Sequence, residues 1–249
     1  MTRLLVAVSC GTAPRCARGA AANSVAMTPV GTRKARLLAL HGFTQDAQTF
    51  RSRIGSMRKG LKSRADFVFV DAPHMISDVS DEVVASAGGQ SAGRSWWAWE
   101  GGERPSQSAT YKGWEPSLEA ITAAMAAEAP VDGLMGFSQG ATAAALYLSG
   151  LQDAGQKMPR FAILVGGFLP RDPAYAAAIT KSKICIPTLH IYGQGDKLVS
   201  TERSKALMGA FDSELAEVYE HPGGHMVPTC TGEFKRVICD FVDLCASAC

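Results

Sequence analysis

The segment Gly136-Phe137-Ser138-Gln139-Gly140 sets one serine between two glycines, where the apolar run Val131 to Met135 gives way to an alanine-rich stretch, Ala141 to Leu148. Val131 to Met135 reads as a short buried strand and Ala141 to Leu148 as a helix, so the serine falls on a sharp strand-to-helix turn. That is the sequence form of a nucleophile elbow. The flanking glycines relieve the crowding such a turn creates. The next residue, Gln139, offers a backbone N–H at a helix start, where developing negative charge is stabilised.

The pattern is weak alone and gains meaning from its surroundings. From Arg36 onward, apolar runs alternate with amphipathic stretches, as parallel strands joined by crossover helices do. Strands are expected at Leu37 to Leu40, Phe67 to Val70, Gly133 to Phe137, Phe161 to Val165 and Thr188 to Tyr192, with a weaker one from Ala216 to Glu220. Helices fit at about 46–62, 114–128, 139–150, 172–181, 200–211 and 231–246. Near-continuous apolar strands imply a sheet covered by helices on both faces, an α/β fold. With 249 residues and 47% hydrophobic content the chain can bury one large core.

Three candidate residues follow strands in chain order. Asp196, in Tyr192-Gly193-Gln194-Gly195-Asp196, can accept an imidazole N–H and fix the tautomer that takes a serine proton. Asp172 also follows a strand, but Arg171-Asp172-Pro173 reads as a helix start, so its expected role is capping. His225, after Gly223-Gly224, is the expected base, whereas His221 precedes a proline and belongs to the turn. The order Ser138, Asp196, His225 matches the Ser…Asp/Glu…His order of α/β-hydrolases. His41-Gly42-Phe43 follows the first strand, so the Phe43 N–H can join that of Gln139 as an oxyanion hole. His41 itself is expected to support that loop.

One segment breaks the alternation. Between Asp71 and Trp114 lie Gly88-Gly89, many serines and the aromatic group Ser95-Trp96-Trp97-Ala98-Trp99. A loop this long in a compact domain has a function or is disordered, and tryptophans are costly to leave in water. The 76–113 insert is expected to form a lid or acyl-pocket wall with Trp96 and Trp97 facing substrate. The competing expectation is that these aromatics anchor the insert to the core.

A net charge of +2 and the absence of a basic, aromatic-interleaved stripe argue against nucleic-acid binding. No apolar stretch reaches the roughly 20 residues of a membrane span. The seven cysteines form no C-x-x-C pair, against zinc and thioredoxin readings, and are expected as free thiols in a reducing compartment. Residues 1–35 carry Arg3, Arg15, Arg18, Arg33 and Lys34 and no acid. They read as a transit-type leader, a disordered non-functional extension, a mis-assigned start with translation beginning at Met27, or a secretory signal. The expected location is cytoplasmic, or organellar with a transit peptide, and 36–249 forms the domain.

Taken together, these residues resemble the FSH-type family of serine hydrolases. The carriers are Leu40-His41-Gly42-Phe43-Thr44-Gln45, Asp71-Ala72-Pro73-His74, Arg94-Ser95-Trp96-Trp97, Asp132 to Ala141, Ile163 to Phe168, Ile191 to Lys197 and Gly223-Gly224-His225. The resemblance runs from about Arg36 to Val242. It implies an α/β-hydrolase fold and action on carboxylic esters, often with acyl chains, with some fungal relatives acting on thioesters. It implies Ser138 as nucleophile, Asp196 as orienting acid and His225 as base, with no metal or organic cofactor. The expected partner is therefore a small-molecule ester or thioester. A hydrolase-fold protein that binds a small ligand without turnover is the alternative from another class, and an intact Ser, Asp and His set speaks against it.

Overall fold

A computed structural model describes residues 33–76, 93–101 and 108–247. Its centre is a six-stranded, all-parallel sheet in the order β10-β9-β8-β7-β1-β2. These strands are β1 (Ala35–Leu40), β2 (Ala65–Val70), β7 (Gly133–Phe137), β8 (Phe161–Val165), β9 (Thr188–Gly193) and β10 (Ala216–His221). Strands β7, β8 and β9 are buried along their whole length, as expected for strands covered on both faces.

Alternation along β1 divides the core. Leu38 and Leu40 face one apolar cluster, while Leu37 and Ala39 face another. On the first side lie α3 (Trp114–Ala127), α4 (Gln139–Asp153), α5 (Pro173–Thr180) and α6 (Thr201–Met208). On the second lie α1 (Ala47–Arg53), α2 (Gly55–Gly60) and α7 (Gly232–Ser247). Helix α4 is buried along most of its length, and its run of alanines allows it to lie close against the sheet.

The single helix expected at 46–62 is two short ones. Asp46 caps α1 by accepting the Thr49 N–H at 2.6 Å. Ile54 then leaves helical geometry at φ −90° and ψ 19°, and Gly55, a poor helix former, starts α2.

The described parts of the segment after β2 form two strand pairs that the sequence does not suggest. Strand β3 (His74–Ile76) pairs antiparallel with β4 (Gly93–Ser95), and β5 (Ala98–Glu100) with β6 (Thr110–Lys112). Four three-residue strands are too short to show alternation in sequence. Residues 77–92 and 102–107 of the insert lie outside the described residues, as do 1–32 of the expected leader. Cys185, Cys230, Cys239 and Cys245 are free thiols, and Cys10, Cys16 and Cys249 lie outside the described residues. Among the described residues, no helix is long and apolar enough to cross a membrane.

Candidate active site

Because the six strands are parallel, their C-terminal ends open on one edge, and the predicted residues collect there. Ser138 follows β7 directly at φ 54°, ψ −118°, a conformation that non-glycine residues adopt rarely and only under constraint. The constraint is visible. Its N–H donates to the Val165 carbonyl at 2.8 Å, and its carbonyl accepts the Ala141 and Thr142 N–H groups that begin α4. A Cβ on Gly136 would stand 2.4 Å from the Gly140 carbonyl oxygen, and one on Gly140 would stand 2.2 Å from that of Leu40. The glycines of the motif are thus required for α4 to start in contact with β7 and the end of β1.

Asp196 and His225 are brought to Ser138 by two loops strapped together. After β9 and β10, Gln194 N–H donates to the His221 carbonyl at 2.8 Å and Gly195 N–H to that of Gly223 at 3.1 Å. Gly193 must lack a side chain, since a Cβ there would meet the Gly223 oxygen at 2.3 Å. His225 Nδ1 stands 2.6 Å from Asp196 Oδ2, and its Nε2 stands 2.7 Å from Ser138 Oγ. Asp196 Oδ1 accepts the N–H groups of Leu198 and Val199 at 2.8 and 2.9 Å. Burial opposes ionisation of Asp196, but the His225 contact and these N–H donors outweigh it and hold the carboxyl below its ordinary range. An imidazole that donates Nδ1–H to this carboxylate keeps its Nε2 lone pair for the serine hydroxyl.

Around the serine, the backbone N–H groups of Phe43 and Gln139 donate to no group among the described residues. For Gln139 this follows from its place in the first turn of α4, where N–H groups have no intrahelical partner. The Phe43 loop is held from outside. Thr44, at φ 60°, donates its N–H to the Arg94 carbonyl at 3.1 Å, and Arg94 N–H donates to the Gln45 carbonyl at 2.9 Å. His41 is buried, and its Nε2 accepts the Ala72 N–H at 3.0 Å. Desolvation keeps its pKa below the usual histidine value, which suits a neutral ring supporting the loop.

Trp96 and Trp97 are both 0% exposed. The expectation that they line a substrate pocket is therefore corrected: neither offers surface to a ligand, and they anchor the insert. The Trp96 N–H donates to Gln139 Oε1 at 2.9 Å, and its indole N–H to the His41 carbonyl at 2.8 Å. Trp97 stacks on Tyr111 at 5.1 Å. The partly exposed Trp99 meets Phe43 edge-on at 4.9 Å. With Pro73, His74, Met75, Ile76, Ser95 and Ala98 it lines an open groove of about 440 Å³. Beyond His225, a smaller cavity of about 190 Å³ is lined by Phe50, Arg53, Phe137, Met226 and Val227.

The profile of the serine hydrolase (FSH1) family matches residues 27–237, most of the chain. The chain belongs to the FSH1 serine hydrolase family. It is 38% identical over 219 residues to Esterase CG5412 of Drosophila melanogaster, covering 84% of this chain and 74% of that one. To Esterase OVCA2 of Danio rerio it is 35% identical over 223 residues, covering 83% and 96%. To Esterase OVCA2 of Homo sapiens it is 33% identical over 226 residues, covering 85% and 96%. Among solved structures it is similar to esterase PE8, with a TM-score of 0.58 at 21% identity over 86% of this chain and 93% of that one. Zea mays acyl-protein thioesterase 2 gives 0.55 at 19% identity over 89% and 97%. This FSH1-family chain is a hydrolase with an α/β-hydrolase fold.

For this FSH1-family hydrolase, sequence reasoning named Ser138, Asp196, His225, Phe43 and Gln139; the first three are in hydrogen-bond contact, and Phe43 and Gln139 follow the neighbouring strands β1 and β7 at the same sheet edge. Asp172 caps α5 as expected, accepting the Ala174 N–H at 2.9 Å, and its Oδ2 also accepts the Tyr111 N–H at 2.7 Å. His221, expected in the turn, is instead the last residue of β10 and is buried. Sequence reasoning missed the Gln139 side chain, whose amide bridges to the insert. The signal for it was faint: a polar side chain at the head of a helix too apolar to expose it.

Proposed function

We propose that this FSH1-family enzyme hydrolyses carboxylic esters of the acyl-chain type through an acyl-enzyme. The observation that carries the reading is His225, which reaches Ser138 Oγ and Asp196 Oδ2 with its two ring nitrogens at once. In this reading Ser138 Oγ attacks the ester carbonyl carbon while its proton passes to His225 Nε2. The carbonyl π electrons move to oxygen, and the tetrahedral oxyanion takes hydrogen bonds from the Phe43 and Gln139 N–H groups. Collapse breaks the bond to the leaving oxygen, which takes the proton from His225. Water, deprotonated by the same ring, then attacks the acyl carbon, the bond to Ser138 Oγ breaks, and His225 returns the proton to that oxygen as the acid leaves. The word esterase in the names of the relatives supports the substrate class.

An acyl-length series of para-nitrophenyl esters, with matched thioesters, tests it on the wild type and on Ser138→Ala. The expected result is ester turnover in the wild type that falls by about 10⁶-fold in Ser138→Ala. Turnover that survives the substitution would remove Ser138 from the mechanism, and faster turnover of thioesters than of esters would move the substrate class.

A further inference from the structure

Near the start of α6, an arginine is held in place with nothing in its fork. The Arg203 guanidinium on α6 lies 4.7 Å above the Phe168 ring. Among the described residues none of its side-chain N–H groups has an acceptor, no carboxylate pairs with it, and its Nη2 is fully buried. A desolvated, unpaired guanidinium is costly, and fixing one on an aromatic face preorganises it for a ligand.

A second group with an unspent donor stands near it. Tyr111 is 5% exposed, and its hydroxyl proton has no acceptor among the described residues, while the Arg171 backbone N–H is turned toward its oxygen. Burial pushes this phenol up to about 12, so it keeps its proton, and Arg203 is close enough to act on it electrostatically. The nearby acid cannot neutralise the arginine, because the Asp172 carboxylate is spent on the N–H groups of Tyr111 and Ala174. Arg171 adds a further, exposed positive charge on the same loop.

The loop after β8, which packs Phe168 under Arg203, also borders His225. A Cβ on Gly166 would stand 3.0 Å from His225 Cε1. The Gly167 carbonyl accepts the Ser204 hydroxyl at 2.9 Å, and Leu169 N–H donates to the Arg203 carbonyl. Phe168 is bonded through both its N–H and its carbonyl to Thr142, one helical turn beyond Ser138.

Resting on the esterase reading, we propose that Arg203 and the Tyr111 hydroxyl form an oxyanion subsite, so that the substrate class is an ester carrying a carboxylate or phosphate away from the scissile bond. A guanidinium suits such groups because it can bind two of their oxygens at once.

The test compares kcat/KM for para-nitrophenyl pentanoate with that for the para-nitrophenyl half-esters of succinic, glutaric and adipic acid, and with para-nitrophenyl phosphonobutanoate. The wild type is expected to prefer at least one anionic ester by about 10- to 100-fold. Arg203→Gln brings that ratio close to one, and Tyr111→Phe lowers it by a smaller factor. A carboxylate preference or a phosphonate preference alone each supports the subsite and names its ligand. No preference in the wild type, or a preference unaltered in Arg203→Gln, overturns it. Calorimetric binding of the glutarate half-ester to Ser138→Ala, with and without Arg203→Gln, reads the same subsite without turnover, so failure of the subsite and failure of the esterase reading remain distinguishable. Equal affinity of the two proteins overturns the subsite, and weaker binding with Arg203→Gln supports it.

Discussion

Gln139 Oε1 accepts the Trp96 backbone N–H at 2.9 Å, which ties the insert to the residue that follows the candidate nucleophile. Its Nε2 reaches the Trp97 carbonyl at 3.4 Å. One residue therefore leaves its backbone N–H open beside Ser138 and closes the insert with its side chain. Gln139→Leu strands buried polar groups on the insert and is expected to cost about 1–3 kcal/mol. Chemical denaturation reads this, and an unchanged midpoint would show that the amide bridge contributes nothing.

Two aspartates that both follow strands should separate cleanly. Asp196→Asn is expected to lower kcat by up to about 10⁴-fold, since the ring loses its orienting acceptor. Asp172→Ala removes a helix cap and is expected to cost about 0.5–2 kcal/mol, with little change in kcat. Steady-state kinetics and denaturation on both variants check the assignment, and a reversed pattern would exchange their roles.

The three insert tryptophans should differ in kind. Trp96→Phe loses the bond to the buried His41 carbonyl, whereas the Trp97 indole N–H has no partner to lose. Trp96→Phe is therefore expected to be the more destabilising, by about 1 kcal/mol or more. Trp99→Ala, on the groove beside Phe43, is expected to shift the acyl-length profile with little effect on stability. Equal melting temperatures for the two phenylalanine variants would contradict the hydrogen-bond account.

Acid stability should depend on histidines before carboxylates. His190 is buried against Phe211, and desolvation lowers its pKa from 6.5 to about 3. It stays neutral when folded and protonates when unfolded, so the unfolded chain binds more protons in that window. Stability then falls as pH falls from 6.5 toward 3. Asp132 and Asp196, both held below 3.8, add their loss only at lower pH. His190→Leu is expected to flatten the decline between pH 6.5 and 4, measured as denaturation midpoint against pH. An equally steep decline would assign it to other groups.

Five of the six sheet strands were legible because each contains an apolar run, while β10, interrupted by Glu217 and Glu220, left the weaker signal. Ser138, Asp196 and His225 were legible for a related reason: a parallel sheet delivers the residues just past its strands to one edge. What failed was distance in sequence. Trp96 and Trp97 sit in a serine- and glycine-rich stretch that reads as a lid, while His41 and Gln139, which hold Trp96, come from elsewhere in the chain, and Tyr111, which stacks on Trp97, comes from the far end of the insert. The unpaired state of Arg203 was equally invisible, because a missing partner is a property of packing.

The most direct test of the central claim, that Ser138 is an activated nucleophile, is intact-protein mass spectrometry after exposure to a fluorophosphonate, with the adduct mapped by peptide. The expected result is one adduct per chain on Ser138, absent in Ser138→Ala and formed far more slowly in His225→Ala. A folded wild-type protein that takes no adduct, or takes it at another residue, would contradict the account.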